Sequence, residues 1–327
     1  MRKVIVDTDT GVDDAMALMM LAADPEVDIL AVISVFGNCH GERAADNARY
    51  VLDTCGRTDV PVYRGADAPL KQELKLSSGV HGDDGFGNTG LRPAQSVPAE
   101  PHGVPIVLDL INAHEGEIDY FALGPQTNLA VAMQSEPDLL QKLASTTIVG
   151  TLGPAIYQDT EPWADRRFKV SRDPNVSFDI DSAQIVASKP GNVTWCGPYV
   201  TRQALVPEQL FTELAQTGNP PAELIAAISR DYAGFYTRSY PQPDRKRVMG
   251  INDSLAVATL LYPETVLGSV QRPLQVFQDP ATGDRFLAGV HPQRDETRPL
   301  HRVIFDVDFD AVLDIIADTL RKPLPWA

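Results

Sequence analysis

The run VIVDTDTGVDDAMALMML at residues 4–21 constrains the fold more than any other stretch. Residues 3–6, KVIV, end in β-branched apolar side chains, the pattern of a buried strand. DTDTGV follows as turn chemistry, and DDAMALMMLAAD reads as a helix with acids in its first turn. The same alternation recurs. VDILAVISVFGN is a strand closing on a Gly-Asn turn, ERAADNARYVLDTCG a helix and VPVYRGAD a strand. PIVLDLINAHEG, IDYFALGP, TNLAVAMQSEPDLLQKL and TTIVGTLG read as helix, strand, helix and strand, then SAQIVASKPG as a short helix and NVTWCGP as a strand. Residues 205–262 read as mostly helical, before strand-like LQVFQD and HRVIFDVD and a last helix, DAVLDIIADTLRK. Strands alternating with helices of this length predict an α/β fold: an open, mostly parallel sheet flanked by helices. No linker interrupts the pattern, so residues 1–327 read as one domain.

Bulk properties narrow the function. With 43% hydrophobic residues the chain buries a core, and a net charge of -16 argues against a nucleic-acid partner. No apolar run reaches transmembrane length, and aspartate appears too early for the apolar core of a signal peptide. The 3 cysteines, Cys39, Cys55 and Cys196, show no metal-finger spacing and fit free thiols in a reducing cytoplasm. Cys39 and Trp195 read as core.

Ligands of open α/β sheets bind at the carboxyl ends of strands. Asp7 and Asp9, Asn38, LGPQTN and GIND all fall at such ends. Two residues apart in extended chain, Asp7 and Asp9 face the same way. A helix start accommodates one or two acids, and Asp13 and Asp14 lie there. Four carboxylates in one turn call for a hard cation with oxygen ligands. The loop lacks the spacing of an EF-hand.

Two resemblances bear on this turn. VIVDTDTG resembles the strand-end motif of haloacid-dehalogenase-like phosphatases, with Asp7 as nucleophile; Gly11 replaces the expected Thr or Val, and no later pair of metal acids follows. DTDTGVDDAMA is similar to the DxDxGxDDAxA motif of the nucleoside hydrolases, the calcium-dependent N-ribohydrolases. That likeness runs along the chain, through VISVFGN, HGDDGFG, ALGPQTNLA, DPNVSFDIDSA and INDSLAVA. It implies hydrolysis of the N-glycosidic bond of ribonucleosides by a cytoplasmic salvage enzyme acting on small molecules, as a homodimer or homotetramer. A divergent, non-catalytic ribose-binding relative is the third reading.

The hydrolase resemblance implies roles residue by residue. Asp9, Asp14, Asp253 and the Leu123 carbonyl would bind Ca²⁺, with Asp9 also the base that activates water. Asp13, Asn38 and Asn175 would hold ribose hydroxyls, Asp173 the 5′-hydroxyl, and Asp7 would orient the ligands. Many members carry histidine where this chain has Asn252, which donates a hydrogen bond but transfers no proton near neutral pH. His81 is the alternative acid, against a solvated loop histidine. Tyr232 and Tyr236, at i and i+4, share one helix face and read as base contacts or as core. Arg166, Arg167, Lys169 and Arg172 form the most basic run, with DRKRV at 244–248 a second. They read as solvated loops or as a pocket for an anionic 5′ substituent.

Overall fold

The computed structural model describes residues 1–91, 102–153, 173–241, 247–292, 295–322 and 324. Its central sheet contains β1 (Arg2–Thr8), β2 (Val27–Ser34), β3 (Val62–Arg64), β4 (Ile118–Ala122), β5 (Ser145–Ile148) and β6 (Val193–Trp195). Two ribbons, β7 (Leu205–Pro207) with β8 (Val248–Gly250) and β10 (Leu274–Gln278) with β11 (Arg285–Gly289), lie outside it. The sheet is completed by β9 (Val266–Arg272) and β12 (His301–Val307), in the order β3-β2-β1-β4-β5-β6-β12-β9. Every pairing in it is parallel except β12 with β9. The chain first runs outward from β1 to β3, then returns to β4 on the other side of β1. That reversal opens a crevice at the carboxyl ends of β1 and β4, where this architecture places ligands.

Helices cover both faces: α1 (Val12–Ala23), α2 (Gly41–Thr54), α3 (Ser78–His81), α4 (Gly103–Ala113), α5 (Thr127–Ser135) and α6 (Pro174–Phe178) in the first part. The second part adds α7 (Ile180–Ala187), α8 (Pro198–Thr201), α9 (Glu208–Ala215), α10 (Pro220–Ser239), α11 (Asn252–Leu261) and α12 (Phe309–Arg321). The period of β1 divides the core. Val4 and Val6 pack with α1, α2, α10, α11 and α12, while Ile5 packs on the opposite face with α4, α5 and α7. Helix α1 is apolar nearly all round because it is enclosed nearly all round, the acids Asp13 and Asp14 included. Truncating the fully buried Leu18 to Ala would cost about 2–5 kcal/mol.

Three local expectations change. The helix expected over 127–143 ends at Ser135 and resumes as a short 3₁₀ turn, because Pro137 disfavours helix in the residue before it. Residues 205–262 include the short strands β7 and β8. The sheet gains β9, whose alternating exposed and half-buried residues and Gly268 hide it from a search for apolar runs.

Candidate active site

β1 stops at Thr8 and α1 starts at Val12, so Asp9, Thr10 and Gly11 make the turn between them. Asp14 folds back onto that turn. Its Oδ1 accepts from Thr8 Oγ1 (2.7 Å) and its Oδ2 from the Gly11 N–H (3.0 Å). Asn38, beyond β2, gives its backbone N–H to Asp9 Oδ2 (2.7 Å). Its side-chain amide donates to Asp9 Oδ1 (3.1 Å) and Asp14 Oδ2 (2.8 Å). The packing leaves no room for a side chain at Gly11 or at the neighbouring Gly37. A Cβ on Gly11 would stand 2.4 Å from His81 Nδ1, and one on Gly37 would stand 2.0 Å from Asp9 Oδ2.

At the start of α11, Asp253 comes up against this turn. Asp13, Asp14 and Asp253, all buried, each offer an oxygen within 4.8 Å of the others. Burial pushes Asp9 and Asp253 well above the usual carboxylate range, and neighbouring acids add to it: Asp14 first for Asp9, Asp13 first for Asp253. Asp14 is raised too, by burial and then Asp13, against the hydrogen bonds from Thr8 and Gly11. Buried oxygens held together against their own repulsion are the donor set of a hard divalent cation. Asp14 and Asp253 stand in this cluster; Asp9 is tied to it through the Asn38 amide, which donates to both Asp9 and Asp14.

Neutral donors lie on the other side of Asp13. The Asn252 amide donates to Asp13 Oδ2 (2.7 Å) and Tyr236 Oη (2.9 Å) and lies 3.3 Å from Tyr232 Oη. Tyr232 is fully buried, with its ring 4.7 Å from that of Tyr236 and 4.9 Å from His81. The shared face of α10 is thus both core and site wall. His81 is buried as well, which corrects the solvated-loop reading. Its Nδ1 accepts from the Val12 N–H (3.2 Å), leaving its proton on Nε2. Burial holds the imidazole below its ordinary value, while Asp13 and Asp14 pull the other way.

A third group closes the crevice at β4. The Asn175 amide donates to the carbonyls of Leu123 (2.5 Å) and Val149 (3.1 Å). Gly124, next to Leu123, abuts Asp9: a Cβ there would lie 3.1 Å from the Asp9 side chain. Asp173 caps α6 by accepting from the Asn175 N–H (3.1 Å). Its Oδ2 has no hydrogen-bond partner among the described residues, and burial pushes its carboxyl to about 7, with Arg202 opposing. Arg166, Arg167, Lys169 and Arg172 lie outside the described residues, as do residues 244–246 of the second basic run.

Asp7 shares none of Asp9's hydrogen-bond partners. It is fully buried, accepts from Tyr120 Oη and Asn128 Nδ2 (2.8 Å each), and burial pushes it up to about 7. An attacking carboxylate needs a free oxygen facing the crevice, so the phosphatase reading is overturned. Sequence reasoning missed Tyr120 and Asn128. Asn128 lies inside LGPQTN, but no pattern says that its amide ties Asp7 to the Ser34 carbonyl (3.0 Å).

Comparison with known proteins agrees with this geometry. Residues 4–314 match the family described as inosine-uridine preferring nucleoside hydrolase. The inosine-uridine preferring nucleoside hydrolase of Leishmania major is 30% identical over 325 residues, covering 98% of each chain. Among solved structures, a plant nucleoside hydrolase superposes with a TM-score of 0.85 at 25% identity, over 98% of this chain and 99% of its own. An inosine-guanosine nucleoside hydrolase gives 0.79 at 25% identity, over 98% and 99%. The chain therefore belongs to the nucleoside hydrolase family. It is an enzyme of that class rather than a binding relative.

Proposed function

We propose that this chain hydrolyses the N-glycosidic bond of ribonucleosides to ribose and free base, with calcium as its ion and Asp9 as the base. The observation that carries the reading is one bond joining two unlike groups. Asn252 links Asp13, in the carboxylate cluster, to a wall of neutral donors. Bound by Asp14, Asp253, Asp9 and the Leu123 carbonyl, calcium would supply a positive centre that acidifies water and fixes the ribose diol.

The protein's own groups do the rest. Asp9 takes a proton from the water that attacks the anomeric carbon. Carboxylates around the sugar oppose the positive charge that builds as the bond to the base breaks. Asp13 and Asn38 hold the 2′- and 3′-hydroxyls, Asn175 binds ribose hydroxyls, and Asp173 takes the 5′-hydroxyl. At the leaving base, Tyr236, Tyr232 and the Nε2–H of His81 donate hydrogen bonds, with Asn252 holding the tyrosine hydroxyls against Asp13.

The test is a panel of purine and pyrimidine ribonucleosides, assayed for free reducing sugar with calcium and with chelator. Release of ribose that requires calcium and is lost in Asp9→Ala supports the reading. No turnover across the panel, or turnover indifferent to chelator, overturns it.

A further inference from the structure

Two segments of this site have no covalent connection nearby: the aspartate turn at 9–11 and the glycine-rich loop at 82–90 that follows His81. One side chain bridges them. Asn47, in the middle of α2, is 2% exposed. Its amide nitrogen donates to the Thr10 carbonyl (3.0 Å) and to the Asp84 carbonyl (2.8 Å), so both of its hydrogens are used. The loop is built to meet it. Gly85 has φ +76, and a Cβ there would lie 2.8 Å from the Asn47 amide nitrogen and 3.2 Å from the Thr10 carbonyl. Asp84 stiffens the loop from within, accepting from the N–H groups of Phe86, Asn88 and Gly90. The Gly87 N–H bonds the His81 carbonyl (2.8 Å), which returns the constraint to the imidazole.

We infer that Asn47 is a positioning residue for leaving-group departure: it sets the distance between the His81 loop and the aspartate turn, and so the place of the His81 Nε2–H. Asn47 touches neither sugar nor base. Its effect passes through His81, and the inference rests on the reading of His81 as a donor to the leaving base. A displaced donor costs rate only when the leaving group needs it.

The experiment compares a purine ribonucleoside with 4-nitrophenyl β-D-riboside, whose leaving group departs without a donor. Asn47→Leu keeps the volume and removes both hydrogen bonds. The expected result is about a 10- to 100-fold loss of kcat on the nucleoside, with the nitrophenyl riboside within about 3-fold of wild type. In an His81→Ala background, Asn47→Leu is expected to add no further loss. Gly85→Ala, which presses a methyl on the same joint, is expected to repeat the pattern and serves if Asn47→Leu does not fold. Equal losses on both substrates, or a full additional loss without His81, overturn the inference. If His81→Ala alone leaves the ratio of the two substrates unchanged while Asn47→Leu shifts it, the His81 reading fails and the route through it falls with it. If neither variant shifts the ratio, both fail.

Discussion

Two buried polar clusters sit on the same sheet and solve burial in opposite ways. On β6 and β12, Trp195 Nε1 donates to His301 Nδ1 (2.9 Å), and His301 Nε2 meets the Lys189 carbonyl (2.9 Å). Each nitrogen has a partner, every group is neutral, and burial keeps the imidazole below its ordinary value. At the end of β1, acids are gathered with no lysine or arginine paired to them among the described residues, and burial holds Asp9, Asp14 and Asp253 above the carboxylate range. The first cluster is complete as folded. The second is complete only with something positive in it, a metal ion or a sugar acquiring charge. A buried group with all its partners stabilises a fold, whereas a buried group in conflict marks a place prepared for a ligand.

The comparison breaks most readily at Asp253. Asp253→Asn is expected to reduce nucleoside hydrolysis about 1,000-fold or more while raising the melting temperature of the chelator-treated protein at pH 8. A drop in both would mean that Asp253 supports the fold in the ordinary way. His301→Ala should behave in reverse. It leaves the Trp195 N–H unpaired and opens a cavity, so denaturant unfolding should show about 2–4 kcal/mol of lost stability with kcat unchanged at 25 °C.

How far these clusters were legible in the sequence differs in the same way. Asp9, Asp14 and Asp253 stand in short motifs at predicted strand ends, and the strand–helix alternation predicted a mostly parallel sheet. For Asp9 and Asn38 the convergence follows from topology, since β1 and β2 are parallel and put their carboxyl ends on one edge; Asp253 follows β8, outside that sheet, and reaches the site because α11 packs on α1. His81 was ambiguous because a glycine-rich stretch reads as solvated loop. Here the glycines serve close packing instead: a Cβ on Gly87 would lie 2.8 Å from the Ile228 carbonyl of α10. Spacing placed Tyr232 and Tyr236 on one helix face, but what the face meets is a tertiary fact. The pairing of Trp195 with His301 spans more than a hundred residues and leaves no local trace.

Acidity sharpens the contrast further. A carboxyl with a raised value in the folded state contributes stability that is fully present below the unfolded value near 3.8 and is lost as pH rises through the folded value, about 7 for Asp7. A histidine with a lowered value contributes stability that is present above 6.5 and is lost as pH falls below it. Melting of the chelator-treated protein from pH 5 to 8 should therefore show a decline towards high pH that Asp253→Asn reduces. Calcium should stabilise most at the alkaline end. A calcium effect independent of pH would contradict the charge-conflict account. The smallest expected effect belongs to the donor wall: Tyr236→Phe should lower kcat on a nucleoside about 10-fold, with KM nearly unchanged.

The glycines around Asp9 have a consequence for how such a protein can diverge. Gly11, Gly37 and Gly124 line the carboxylate turn with bare main chain, where added methyl groups would collide with Asn38, His81 or Asp9 itself. That surface has almost no vocabulary for variation, since a neighbouring residue can change only by blocking the site. Room for change lies on the opposite rim, where Asn252 and the tyrosines of α10 meet the crevice with side chains rather than main chain. A lineage built on this scaffold can revise what it releases while the chemistry that handles the sugar stays fixed.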